Sequence, residues 1–162
     1  MTKILGIDPG LTKTGLGIIE VKNNSLTFVG CSIIRTSASD PLVVRLNHFH
    51  KALIEFISLH KPDEAAIEET FVNVNPVSSL KLGHVRGALI LTLGLCGFKV
   101  SEYSATAVKK AVVGVGRAEK QQIQMMIKIL LPRATFKTED EADALAVAIC
   151  HNNNRTLRNF GL

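Results

Sequence analysis

The sequence predicts an α/β domain built on a five-stranded mixed sheet, antiparallel on one side and parallel on the other. Three observations carry that prediction. Near the N-terminus, three β-branched runs are joined by short turn signals, as in an antiparallel meander. Residues 41–103 then alternate helix-period and strand-like segments, which is how parallel βαβ units read. Helical patterns fill the C-terminal third of the chain.

The first strand is the apolar run Ile4-Leu5-Gly6-Ile7. It stops at Asp8-Pro9-Gly10 because proline fixes φ and donates no hydrogen bond, while glycine accepts a left-handed turn. Asp8 therefore ends a strand. Residues 15–21 and 26–36 are strands two and three, separated by Lys-Asn-Asn-Ser, a hairpin signal. Pro41 opens a helix in which Leu42, Leu46, Phe49, Leu53, Phe56 and Ile57 recur near the 3.6 period, closing at Lys61-Pro62. A short strand at 65–69, a second helix at 77–96 and a fifth strand at 98–103 come next. Short helices cover 104–113 and 119–131, and Thr138 starts the last helix with the capping-box pattern Thr138-x-x-Glu141. No repeat or linker divides residues 1–162, which read as one domain.

Composition narrows the function. A chain of 162 residues, 46% hydrophobic and 20% charged, buries one full-sized core and is not disordered. Its net charge of +5 favours a polyanionic partner such as nucleic acid. Cys31, Cys96 and Cys150 are widely spaced in apolar surroundings, as expected of buried thiols in a reducing compartment. There is no signal-peptide pattern, and the greasiest stretch, residues 87–98, is too short to span a bilayer, so a cytoplasmic location is expected.

The crossover helix should return strand four parallel to the free edge of strand one, and their carboxyl ends would form the crevice where open α/β sheets hold ligands. Asp8 ends one strand; Glu68 and Glu69 end the other, and side-chain alternation lets only one of these two share the face of Asp8. The last helix adds Asp140 and Asp143, three apart on one face. Each acid alone has an ordinary explanation, a turn or a complement to the helix dipole. Yet Ala142, Ala144, Ala146 and Ala148, with Leu145, Val147 and Ile149, make that helix small and apolar nearly all round, so it packs tightly and brings its acidic turn inward. Gly15 and Gly17 leave room for a backbone to approach. Converging carboxylates repel one another unless cations hold them, and hard divalent ions with oxygen ligands suit. Two such ions about 3.5–4 Å apart activate water and stabilise the leaving oxygen of a phosphodiester.

The stretches GIDPG (6–10), AIEE (66–69), SSLKLGHVRG (78–87), VKKAVVGVGRAEK (108–120) and DEADALAVAICH (140–151), in that order, resemble the RuvC family of Holliday-junction resolvases over nearly the whole chain. The resemblance implies a ribonuclease-H-like fold and an endodeoxyribonuclease that resolves Holliday junctions by paired cuts in recombination and repair. It also implies Mg²⁺ as cofactor, two ions per site with Mn²⁺ as substitute, a homodimer, and branch-migration partners of the RuvA and RuvB type. By motif, Asp8, Glu68, Asp140 and Asp143 would be the catalytic metal ligands, with Glu68 taken because it follows Ala-Ile. Lys109 and Lys120 match the basic residues near the family's site.

Other residues point to DNA. Lys109, Lys110, Arg117 and Lys120 flank Gly114 and Gly116 at the expected start of a helix, a setting that suits phosphate. Lys81, His84 and Arg86 are spaced along the second helix, and the match marks Lys81 and Arg86 as DNA contacts. Phe71 follows the strand-four acids in a loop, where an aromatic can stack on or wedge between bases. On the second helix Val77, Leu80, Leu82, Val85, Leu89, Ile90, Leu91, Leu93 and Leu95 wrap more than half the surface, wider than one sheet face covers, which marks a dimer interface. The alternatives are a related nuclease acting on ribosomal RNA precursor, an inactive junction-binding module, and an actin-like phosphotransferase, for which the chain is too short to form two lobes.

Overall fold

The computed structural model describes residues 1–70 and 75–159, with side chains through Arg155. Five strands form one sheet in the order β3-β2-β1-β4-β5: β1 (Thr2–Asp8), β2 (Lys13–Lys22), β3 (Ser25–Arg35), β4 (Glu64–Glu68) and β5 (Val100–Tyr103). The first three are antiparallel, and β4 runs parallel to both β1 and β5. The mixed sheet and the β1–β4 pairing are those the sequence predicts.

Local chemistry explains the turns. Asn23 and Asn24 take positive φ of 49° and 63°, the conformation a tight β2–β3 hairpin needs and Asn tolerates. After Asp8, the Gly10 N–H donates to Thr14 Oγ1 (3.2 Å), fastening the β1–β2 turn. The fifth strand begins at Val100 rather than 98, because α2 (Pro76–Leu95) finishes through Gly97 at φ 86°, with the Phe98 N–H on the Leu93 carbonyl. Phe98 packs into the core instead of joining the sheet.

Alternate positions of β1 supply two cores. Leu5 and Ile7, with Ala65 and Ile67 of β4, pack against α1 (Leu42–His60) and α2. Ile4, with Ala66, packs on the other face against α3 (Ala105–Val113), α4 (Lys120–Leu130) and α5 (Glu139–Asn159).

The helix α5 lies on the sheet at backbone contact. A Cβ on Gly6 would stand 2.5 Å from the Ala148 nitrogen, one on Gly17 2.8 Å from the Leu145 nitrogen, and one on Gly15 2.6 Å from the Asp140 carbonyl carbon. Gly6 and Gly17 are cross-strand partners, as are Asp8 and Gly15. The backbone that Gly15 and Gly17 admit is thus that of α5. Replacing Gly15 by Ala must displace α5, and overpacking of this kind costs about 1–3 kcal/mol. A urea melt of Gly15→Ala should show that loss.

Candidate active site

Asp8 and Glu68 end neighbouring parallel strands whose last register pair is Ile7 with Ile67. Alternation puts Asp8 on the face of Ile4 and Gly6, and Glu68 on the face of Ala66, so both look toward α5. Glu69 is exposed, and its N–H donates to the Tyr103 carbonyl (2.8 Å). Between the two glutamates left open by alternation, the register selects Glu68. From above, α5 lays Asp140 on Gly15, the residue opposite Asp8, and Asp143 follows one turn along.

The start of α5 is pinned as the capping-box pattern predicts. Glu141 accepts from the N–H groups of Lys137 and Thr138 (2.8 Å each) and from the Thr138 hydroxyl (3.1 Å). Burial pushes the Glu141 carboxyl up, and these donors more than offset it, leaving it below its ordinary value. Glu141 stays ionised as a strut.

Asp8, Glu68 and Asp143 behave oppositely. Burial first, then the charges of Glu68, Asp143 and Asp140, hold Asp8 well above its usual value against the pull of Lys120. Burial and Asp143 push Glu68 to about 7, opposed by Lys109. Burial raises Asp143 to about 6, with Lys120 opposing and Asp140 and Glu139 adding to the rise. Among the described residues, no three His, Cys, Asp or Glu side chains are grouped so as to hold a metal ion. The acids feel one another's charge all the same. Four oxygen-only donors, partly withdrawn from water, have the chemistry that hard divalent cations take.

Cations border the cluster. Lys109 comes from α3, and Lys120, first residue of α4, is paired to Glu139 of α5 at 2.7 Å. Lys81, Lys110 and Arg117 are exposed, and Phe71 lies outside the described residues. One expectation needs revision. Gly114 does not open a helix but closes α3 at φ 85°, and Gly116 sits where a Cβ would meet Thr106 Cγ2 at 2.7 Å; α4 begins only at Lys120. Arg86, also expected as a DNA contact, pairs with Glu102, and its Nε donates to the Glu68 carbonyl (3.4 Å).

Three contributors escaped the sequence reading. Arg45 is buried, giving Nη2 to the Leu11 carbonyl and Nε to Thr36 Oγ1 (3.3 Å), and so holds the turn after Asp8 from the far side of the sheet. A charged residue four before Phe49, on the apolar stripe of α1, is a signal for it. Glu102 and Glu139 carry no such signal.

A family model of the crossover junction endodeoxyribonuclease RuvC matches residues 4–151. The chain belongs to the RuvC family. A RuvC from Azorhizobium caulinodans is 53% identical over 155 residues, covering 96% of this chain and 92% of that one. One from Rhizobium etli is 54% identical over 153 residues, covering 94% and 90%. Among solved structures, Thermus thermophilus RuvC in complex with Holliday junction substrate aligns with a TM-score of 0.90 at 28% identity, over 97% of this chain and 96% of that one. The five-stranded mixed sheet flanked by helices is accordingly the ribonuclease-H-like fold of RuvC, and the matched span contains all four acids.

The raised carboxyls give a pH signature. In chelator, Asp143 and Glu68 titrate near 6 and 7 when folded but at ordinary carboxylate values when unfolded. Between about pH 4 and 7 the folded state holds more protons, so this cluster's contribution to stability falls as pH rises. Glu68→Gln should therefore raise the melting temperature relative to wild type more at pH 7.5 than at pH 5; an equal gain at both would show that the Glu68 carboxyl is not raised.

Proposed function

We propose that this chain resolves four-way DNA junctions, hydrolysing a phosphodiester bond in each of two symmetric strands during recombination and repair. The observation that carries this reading is the set of four carboxylates at the ends of β1 and β4 and the start of α5, with Asp8, Glu68 and Asp143 raised by burial and by neighbouring acids, in a RuvC-family chain of net charge +5. RuvC enzymes are metal-dependent nucleases, and Asp8, Glu68, Asp140 and Asp143 are the residues that would hold Mg²⁺, two ions per site, with Mn²⁺ able to substitute. When bound, the ions would make a coordinated water more acidic and stabilise the charge of the leaving oxygen.

The chain's own residues do the rest. Asp8 and Glu68 sit on rigid strand ends, which keeps their carboxylates fixed relative to each other. Asp140 and Asp143 arrive on a helix that cannot slide, because its backbone rests on Gly6, Gly15 and Gly17. Lys109 and Lys120 face the cluster and are placed to hold the phosphate being cut or its neighbour. Lys81, Lys110 and Arg117 extend this basic surface toward the junction arms, and Phe71 is the aromatic that stacks on or wedges between bases.

Paired cuts need two matched sites, which an isologous dimer supplies. We assign its interface to α2. Leu80, Gly83, Gly87, Leu91 and Gly94 follow at helical spacing; the leucines are exposed, and the glycines have open space above them. A partner helix fits that stripe at close approach. The dimer of single-domain chains would work with branch-migration proteins of the RuvA and RuvB type. Cleavage of ribosomal RNA precursor, the alternative reading, gains no support from the relatives, which are crossover junction endodeoxyribonucleases.

The test is a synthetic four-way junction incubated with the protein and Mg²⁺. Asp8→Asn, Glu68→Gln, Asp140→Asn and Asp143→Asn should each abolish or severely reduce cutting while junction binding is kept, and Glu69→Gln should cut normally. A carboxylate variant that cuts at the wild-type rate would remove its residue from the site. Lys109→Ala and Lys120→Ala should slow cutting, and each lost phosphate contact should reduce the salt slope of binding by about one. Sedimentation should give about twice the 17.6 kDa chain mass. A charged residue at Gly87 should yield monomers that no longer pair their cuts.

A further inference from the structure

Arg86 leaves α2 beside fully buried Val85, and its side chain is only 22% exposed. Its guanidinium pairs with Glu102 on β5 and reaches the Glu68 carbonyl, so one side chain joins α2, β4 and β5. The Glu68 carbonyl needs that donor. Since the Glu69 N–H points to Tyr103 on β5, the trans peptide turns the Glu68 carbonyl the other way, toward β1. There Asp8 is followed by Pro9, which has no N–H to give. The ladder therefore runs out at the residue whose side chain enters the acid cluster. Glu102 shares the α2-facing side of the sheet with Val100, whereas Glu68 sends its carboxylate to the α5 side. Arg86 thus grips the backbone of Glu68 and leaves its carboxylate free.

We propose that Arg86, held by Glu102, is a positioning residue that fixes the Glu68 strand end, and that its effect on the reaction runs through metal occupancy rather than through contact with DNA. The arrangement is a bidentate-capable fork set between an acid and a carbonyl, a role lysine fills poorly because its charge is a single point. This inference rests on the reading of Glu68 as a metal ligand, and the experiment separates the two.

Arg86→Ala, Arg86→Lys, Glu102→Gln and the double variant Arg86→Ala/Glu102→Gln would be compared with wild type. Single-turnover junction cutting would be followed over a Mg²⁺ titration, and junction binding in chelator at several salt concentrations. Supporting groups behind metal ligands are worth about 10–100-fold in metal affinity or activity. Arg86→Ala should therefore cut in that range more slowly and need several-fold more Mg²⁺ for half-maximal rate, with junction affinity and salt slope unchanged. Glu102→Gln should move the same way by less, Arg86→Lys should recover part of the loss, and the double variant should be no slower than Arg86→Ala. If Arg86→Ala fails to fold, Arg86→Lys and Glu102→Gln carry the same comparison. Weaker junction binding with a salt slope reduced by about one and an unchanged Mg²⁺ requirement would overturn the proposal in favour of a phosphate contact. So would a Glu102→Gln enzyme identical to wild type in rate and Mg²⁺ response. Glu68→Gln is the control for the underlying reading: if it cuts at the wild-type rate, the metal-site assignment falls and this inference falls with it, whereas an inactive Glu68→Gln leaves the Arg86 results to decide alone.

Discussion

The molecule is organised around a contact between main chains. At Gly6, Gly15 and Gly17 the sheet presents no side chains, and α5 rests its backbone on that bare patch. Interiors are close-packed, so a helix seated this way has little freedom to tilt or slide. Its seating brings the acidic first turn over the end of β1, because Gly15 is both the partner of Asp8 and the floor beneath Asp140. A methyl group at any of these three positions would lift one half of the acid cluster away from the other. Core formation and site assembly are therefore the same event.

The cluster formed this way is electrostatically unfavourable in the chain alone, and the surroundings manage that cost without neutralising it. Lys109 and Lys120 oppose the rise of Glu68 and Asp143 but do not reverse it. Arg45 bonds the Leu11 carbonyl and the Thr36 hydroxyl, and Arg86 the Glu68 carbonyl and the Glu102 carboxylate, so neither pairs with a side chain of the cluster. Two arginines from the helices of the opposite face thus stiffen the strand ends while the carboxylates keep their lone pairs. Positive charge is used here for shape, and the unmet negative charge is left as affinity for a cation.

Much of this was legible in the chain because its causes are local. Proline and glycine after Asp8, the two asparagines of the hairpin and the Thr138–Glu141 cap act over a few residues, and the structure places each as expected. The β1–β4 neighbourhood followed from the handedness of crossovers. The features that were not legible depend on partners far away in sequence. Side-chain alternation alone leaves Glu68 and Glu69 open, and only the family motif takes Glu68; the register set by β1 and β5 turns it toward α5. Arg86 reads as one more cation on a polar helix face until Glu102, 16 positions later, is seen to meet it. Gly114-x-Gly116 has the spelling of a phosphate loop, but the α3 terminus and Thr106 account for both glycines.

The order in which the acids occur along the chain also matters during synthesis. Residue 8 emerges first, residue 68 much later, and residues 140 and 143 only with α5, the last helix. Until α5 arrives, one face of the sheet has lost its main cover, and half of the cluster does not exist. A chain without α5 thus lacks both the main cover of one core and two of the four acids.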